Sequence, residues 1–295
     1  MCEFKGYHPI VNFVYFAFVI AFCCIFINPV CLILSLLGGI LYSAILKGAK
    51  SVGKTLKYTL PMIVLMALLN PLFNHRGVSV IAYFPNGNPL TAESLFYGVL
   101  TAVMIASVIC WFSCYNAVMT SDKFIYLFGR IIPGASLVLS MTLRFVPRFY
   151  EQMKEVTKAQ KTMGYGAASG GIKKRIKEGL GILSVMTSWS LESAVETSDS
   201  MKSRGYGLPG RTAFSLYHFT KRDGFSLMFI VLLSGYIIFA KISGATDFVC
   251  FPNISGIKVS YLGTSAYLAH FVLYLFPVFL ELWEVRKWKS LKSKI

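Results

Sequence analysis

The chain is poor in charge, and poorest in acid. Charged residues make up 14% of its 295 positions, with 13 Asp and Glu against 29 Lys and Arg. A soluble globular domain carries roughly 25% charged residues. Hydrophobic residues fill 55% of positions and the mean hydropathy is +0.61. That is more apolar surface than one aqueous core covers, so lipid must take the remainder. Catalytic patterns are missing as well. The four histidines (His8, His75, His218, His270) show no paired metal-ligand spacing. No G-x-S-x-G element occurs. The seven cysteines fall mostly in apolar runs, without metal or disulfide spacing. Carboxylates avoid the depths of those runs, where an ion-coupled carrier keeps one; Glu93 and Asp247 lie between runs, and Glu281 and Glu284 near the end of the last. The reading is therefore no catalytic residue, no metal and no cofactor.

What the chain does have is six long apolar runs, at 10–27, 29–46, 56–73, 95–116, 225–241 and 262–283. A helix crossing about 30 Å of hydrocarbon needs about 20 residues, so the third and fifth are short, and the third contains Pro61. The first run has one basic residue ahead of it and no A-x-A-like cleavage site before the second at Asn28-Pro29. It reads as half of an uncleaved hairpin rather than a secretory signal. With both termini cytoplasmic, the cytoplasmic segments hold 26 of the 29 Lys and Arg, sixteen of them between residues 117 and 224. Short loops and span flanks agree on this one orientation. The formal charge of +16 is then a topology feature and an attraction to anionic lipid, and nucleic acid is not an expected partner.

The expected fold is an all-α polytopic membrane protein with about six transmembrane helices and a cytoplasmic set of amphipathic helices. Residues 1–116 form an N-terminal membrane region of four spans, 117–224 a cytoplasmic region, and 225–295 two further spans with a basic tail. The loop 74–94 carries a β-like run from Val78 to Phe84 and a strong turn at Pro85-Asn86-Gly87-Asn88-Pro89; nothing in it indicates a role. In the cytoplasmic region a helix is expected from Ser121 to about Ile132, ending before Pro133-Gly134. A longer one follows from about Ala135 to Met163, with Phe145, Phe149, Val156 and Met163 near helical spacing. A last one starts at Ile172 or Leu180 and reaches Arg204. The two long helices end alike, in Met163-Gly164-Tyr165-Gly166 and Arg204-Gly205-Tyr206-Gly207.

Two motifs need weighing. Gly48 to Thr55 fits the P-loop pattern G-x4-G-K-T in full. A P-loop must follow a buried strand and open a helix, whereas this octapeptide lies between two apolar runs and reads as a flexible basic turn. Ser203-Arg204-Gly205 is explained in part as an ordinary helix end, with a cation favoured by the macrodipole and Gly as the cap. Yet an Arg held at a rigid tip also offers a planar, permanently charged fork for a partner's carboxylate.

With these residues in place, the chain resembles the transmembrane T component of energy-coupling factor (ECF) transporters, the family that includes the Q subunit of cobalt importers. The likeness is densest over 119–166 and 190–212. It rests on a Pro-terminated short helix, on an L-R-F-x-P segment matched by Leu143, Arg144, Phe145 and Pro147, and on two helices ending in A-R-G-like triplets. The resemblance implies a non-catalytic scaffold in a prokaryotic cell membrane, importing vitamins or metal ions. Its implied partners are two ABC-type ATPases, which hydrolyse the ATP, and a small substrate-binding membrane subunit. It further implies that Ser203, Arg204 and Gly205 form one ATPase-coupling tip and Thr162, Met163 and Gly164 the other, with Pro133, Arg144 and Pro147 structural in the coupling region. One departure stands out: where the family has Ala-Arg-Gly, the first triplet reads Thr162-Met163-Gly164, so only the second tip keeps its Arg. The competing reading is the permease subunit of a conventional ABC importer, which presents one compact coupling loop. An ion-coupled carrier or channel comes third.

Overall fold

The computed structural model describes residues 4–75, 77–83, 89–129, 132–164, 171–209, 217–252, 256 and 260–292. Among them are nine α-helices: α1 (Pro9–Ile25), α2 (Pro29–Lys47), α3 (Ala49–Phe73), α4 (Ala92–Val118), α5 (Ser121–Gly129), α6 (Pro133–Thr162), α7 (Ile172–Ser203), α8 (Lys221–Ile242) and α9 (Tyr261–Lys292). A 3-10 turn at Phe4–Gly6 precedes them, and an antiparallel hairpin of β1 (Val80–Tyr83) and β2 (Pro89–Thr91) separates α3 from α4. The chain divides into two compact units, residues 1–124 with 217–295, and residues 125–216.

In the first unit α2, α4, α8 and α9 are each long and apolar enough to cross a membrane, while α1 and the Lys57–Phe73 part of α3 are shorter apolar helices. The chain is thus an all-α membrane protein, with six apolar helices at the six apolar runs. Two local expectations need correction. The fifth run is not short: α8 begins at Lys221, four residues before the apolar stretch, and reaches 22 residues. A capping box starts it there, Thr220 Oγ1 accepting from Asp223 N at 3.4 Å and Thr220 N donating to Asp223 Oδ2 at 3.0 Å. Nor is the segment from Gly48 to Thr55 a flexible turn. Gly48, at φ 79°, ends α2 and caps α3, and the rest of the octapeptide is helical. The left-handed glycine lets the chain reverse in one residue, leaving no loop to cradle a phosphate.

The core of this unit is aromatic. Trp111 of α4 is fully buried, its ring edge-on to Tyr15 and Phe16 and tilted against Tyr42 and Tyr274, with centroids 6.1–6.4 Å apart. Its indole N–H, costly to bury unpaired, donates to Ser35 Oγ at 3.0 Å. Close helix approach is allowed by Gly38 on α2, where an added Cβ would stand 3.0 Å from the Tyr274 Cβ. At the chain's start a polar knot ties several helices together. Phe4 N donates to Glu281 Oε1 of α9 at 3.3 Å, and His8 N donates to Asp223 Oδ1 of α8 at 3.2 Å. Buried Lys123 of α5 donates to the Lys5 carbonyl and, with the Asn12 amide turned to satisfy both its neighbours, to Asn12 Oδ1 at 2.9 Å. Burial, then the nearby Lys5 charge, lowers the Lys123 ammonium to about 8.

The second unit holds α6 and α7. The expected helix from Ser121 is described as far as Gly129; residues 130 and 131, on which its expected end near Ile132 depends, lie outside the described part. The expected bounds of the two long helices fall within two residues of α6 and, taking Ile172 as its start, α7.

Candidate functional site

The two triplets sit where α6 and α7 end, and their backbones end alike. At the second, Arg204 is the C-cap (φ −84°, ψ 9°) and Gly205 follows in the left-handed region at φ 78°. Tyr206 N donates to Met201 O at 3.0 Å and Gly205 N to Lys202 O at 2.9 Å. These two bonds together make a Schellman motif, which satisfies the carbonyls a helix end leaves open. At the first, Met163 is the C-cap (φ −82°, ψ 4°), Gly164 follows at φ 83°, and Gly164 N donates to Lys161 O at 3.1 Å. Tyr165 and Gly166 lie outside the described residues. Same backbone, different side chain: Met163 is 71% exposed, and Arg204 is exposed, its guanidinium forming no hydrogen bond or ion pair with the described residues while its backbone N–H donates to Ser200 O at 3.3 Å. The tips also differ in slack. A Cβ on Gly205 would meet Leu208 Cδ1 at 3.0 Å, whereas one on Gly164 would meet none of the described residues within 4 Å.

What joins the helices is narrow. Phe149 of α6 packs edge-on against Trp189 of α7 with centroids 5.2 Å apart, and the Arg148 guanidinium lies 5.6 Å from the same ring. Further along, Met153 and Thr157 face Ile176, Leu180 and Leu183 across a shallow apolar groove of about 430 Å³. Rising numbers on α6 meet falling numbers on α7, so the helices run antiparallel. The Met163 tip then stands about six residues past the groove along α6, counted from Thr157, and the Arg204 tip about twenty past it along α7, counted from Leu183. At 1.5 Å per residue these are about 9 and 30 Å of helix in opposed directions. The structure therefore does not bring the two triplets together; it holds them apart at opposite ends of one pair.

Between the tips, Pro133 opens α6, where its missing N–H costs nothing. Pro147 lies inside α6 and is exposed, as is Arg144, which pairs with no described residue. Of the apolar residues read as one stripe, Phe145 and Val156 are half-buried and Phe149 packs on Trp189, but Met163 points outward at the tip. Trp189 escaped the sequence reading. The available clue was a lone large aromatic in a helix otherwise full of Ser, Thr and small residues. Exposed apolar side chains remain along both helices, including Val138, Val146 and Tyr150 on α6 and Leu183, Leu191 and Val195 on α7. Among the described residues no group of His, Cys, Asp or Glu could hold a metal ion.

These features define a helical membrane protein with a second unit built of two long amphipathic helices, capped alike and pointing apart. The comparisons with known proteins agree with that class. A family model described as CbiQ, cobalt transport protein, matches residues 7–215, and the chain belongs to this family. It is 38% identical over 113 residues to the energy-coupling factor transporter transmembrane protein EcfT of Lactobacillus helveticus, a match covering 38% of this chain and 41% of that protein. The EcfT of Bacillus selenitireducens is 26% identical over 194 residues, covering 62% of this chain and 72% of the relative. EcfT 1 of Listeria monocytogenes is 23% identical over 212 residues, covering 70% and 78%. The resemblance read from Arg144, Pro147 and the two triplets thus points to the right family.

Proposed function

We propose that this chain is the energy-coupling scaffold in the membrane of an ATP-driven ECF-type importer for vitamins or metal ions. It performs no chemistry itself. Two ABC-type ATPases hydrolyse ATP, and a small membrane subunit binds the substrate. Residues 1–116 and 225–295 are its membrane regions and 117–224 its cytoplasmic region, with both termini cytoplasmic in a bacterial cell membrane. The observation that carries this reading is the pair of like-capped tips at opposed ends of α6 and α7. Such a pair fits two separate partners, where a conventional importer's permease needs one loop per chain.

The coupling is mechanical. Each tip docks on one ATPase, and the left-handed glycine after the cap fixes the direction in which the capping side chain projects. Arg204 supplies a charge-assisted contact to an acidic group; Met163 supplies an adaptable apolar one. When ATP draws the ATPases together, two rigid helices transmit the displacement, and their apolar flanks pass it to the substrate-binding subunit. Purifying the full-length chain in mild detergent from its own host tests this. Recovery of two distinct ATPases with a small membrane protein supports the proposal. Recovery of a homodimer with one kind of ATPase favours the conventional permease, and substrate uptake by the isolated chain without ATP refutes the scaffold reading.

A further inference from the structure

The β1–β2 hairpin has no part in that mechanism, yet its composition is unusual. From Gly77 to Ala92 there is not one charged residue. A two-stranded hairpin standing in water keeps at least one polar face. Here β1 is exposed at every position and apolar on both faces, Val80, Ile81, Ala82 and Tyr83, with Val78 exposed just before it. Ile81 is 60% exposed and Tyr83 72%. The helix before it also exposes apolar side chains, Leu65, Leu68, Leu72 and Phe73, along α3 to its last residue.

The hairpin is also fixed in place. Ser79 N donates to both carboxylate oxygens of Glu93, at 3.1 and 3.3 Å, and Ala92 N donates to Ser79 O at 2.9 Å. Ser94 Oγ donates to Asn74 O at 2.5 Å. Gly77, at φ 149°, leaves room for this clamp, because a Cβ there would stand 2.5 Å from Glu93 Oε2. The hairpin is therefore locked to the first turn of α4, a helix able to span the membrane.

We propose that the hairpin is an anchor lying in the membrane interface, bound by lipid. Two physical limits set its depth. An uncharged, two-faced apolar strand pair is driven out of water. Among the described residues no third strand joins β1, and the hydrocarbon centre does not tolerate the open backbone groups of an outer strand edge. The headgroup and upper acyl region satisfies both, and it is where tyrosines such as Tyr83 collect. The anchor holds the α3–α4 end at a set depth. The inference needs only that the chain sits in a bilayer and does not depend on the ATPase reading.

The test labels the full chain at Ile81→Cys with an environment-sensitive fluorophore in phosphatidylcholine–phosphatidylglycerol vesicles. Lys202→Cys on exposed α7 serves as the aqueous reference, and the parent chain corrects for its exposed Cys24. Val78→Cys repeats the measurement should Ile81→Cys assemble poorly. A headgroup-level nitroxide lipid should quench the hairpin label about twofold or more over iodide, with the order reversed at position 202. Dominant iodide quenching would place the hairpin in water and overturn the proposal. So would loss of lipid quenching when the partner subunits are added, since a protein would then cover the strand.

Discussion

The two units use apolar residues in opposite ways. Around Trp111 the first unit closes its large side chains on one another, and Tyr15, Tyr42, Phe16 and Tyr274 are all within 1% of complete burial. In the second unit the large apolar residues of α6 and α7 stay mostly uncovered, and Met186 is the one hydrophobic side chain there that is buried among the described residues. The first arrangement gives stability. The second gives little, because two helices meeting at Trp189 and one groove exclude little solvent. On the proposed function, those bare apolar flanks are the surfaces that partner subunits cover. The contrast recurs on a smaller scale at the tips, where one backbone solution carries Met163 at one end and Arg204 at the other.

Several changes break or sharpen this contrast. Trp111→Ala removes the centre of the closed unit and should cost about 3–5 kcal/mol, read as an earlier unfolding transition in detergent. Trp189→Ala, at the aromatic joint between α6 and α7, should leave that transition nearly unmoved while loosening the two helices, seen as faster amide exchange near 149 and 189. Gly205→Ala should cost about 1–2 kcal/mol of local stability through its left-handed backbone and the Leu208 contact. Gly164→Ala should cost less, since no described residue crowds it; equal fraying of the two ends by exchange would contradict the difference.

The smallest effect concerns pH at the N-terminal knot. Burial holds the His8 imidazole below its usual value; Asp223 opposes the shift and Lys123 adds to it. Its Nδ1 accepts from Ile10 N at 3.3 Å, which requires the neutral ring. Because the folded value is depressed, the unfolded chain binds more protons as pH drops below about 6.5, and stability contributed by this group falls with it. Exchange at the Phe4 and His8 amides, corrected for intrinsic rate, should accelerate between pH 7 and 5.5. His8→Asn keeps a capping acceptor and should flatten that dependence.

Much of this was legible in the sequence for a simple reason. Apolar runs of about twenty residues and Gly-Tyr-Gly stops are local patterns, and local patterns place helix bounds. The helix ends at Thr162-Met163-Gly164 and Ser203-Arg204-Gly205 could be placed on that basis; that the first lacks an Arg is known only from the family resemblance. What could not be read depends on distant partners. Glu281 looked like a residue near a span end, and only the fold shows it holding the Phe4 amide 277 positions away. Nothing local tells that α6 and α7 run antiparallel, so the wide separation of the tips was invisible. At Gly48 the pattern misled differently: a glycine that starts a loop and one that joins two helices look the same until its neighbours' hydrogen bonds are known.

The central claim, that two like-capped tips engage ATPases unequally, is tested most directly by binding the full chain in nanodiscs to its purified ATPase pair. Arg204→Ala should weaken binding about tenfold or more, in line with a lost charge-assisted bond of roughly 1.5–3 kcal/mol. Met163→Ala should change it by less than about threefold, and Met163→Arg should strengthen it. Equal losses at the two tips, or a larger loss at Met163, would contradict the account.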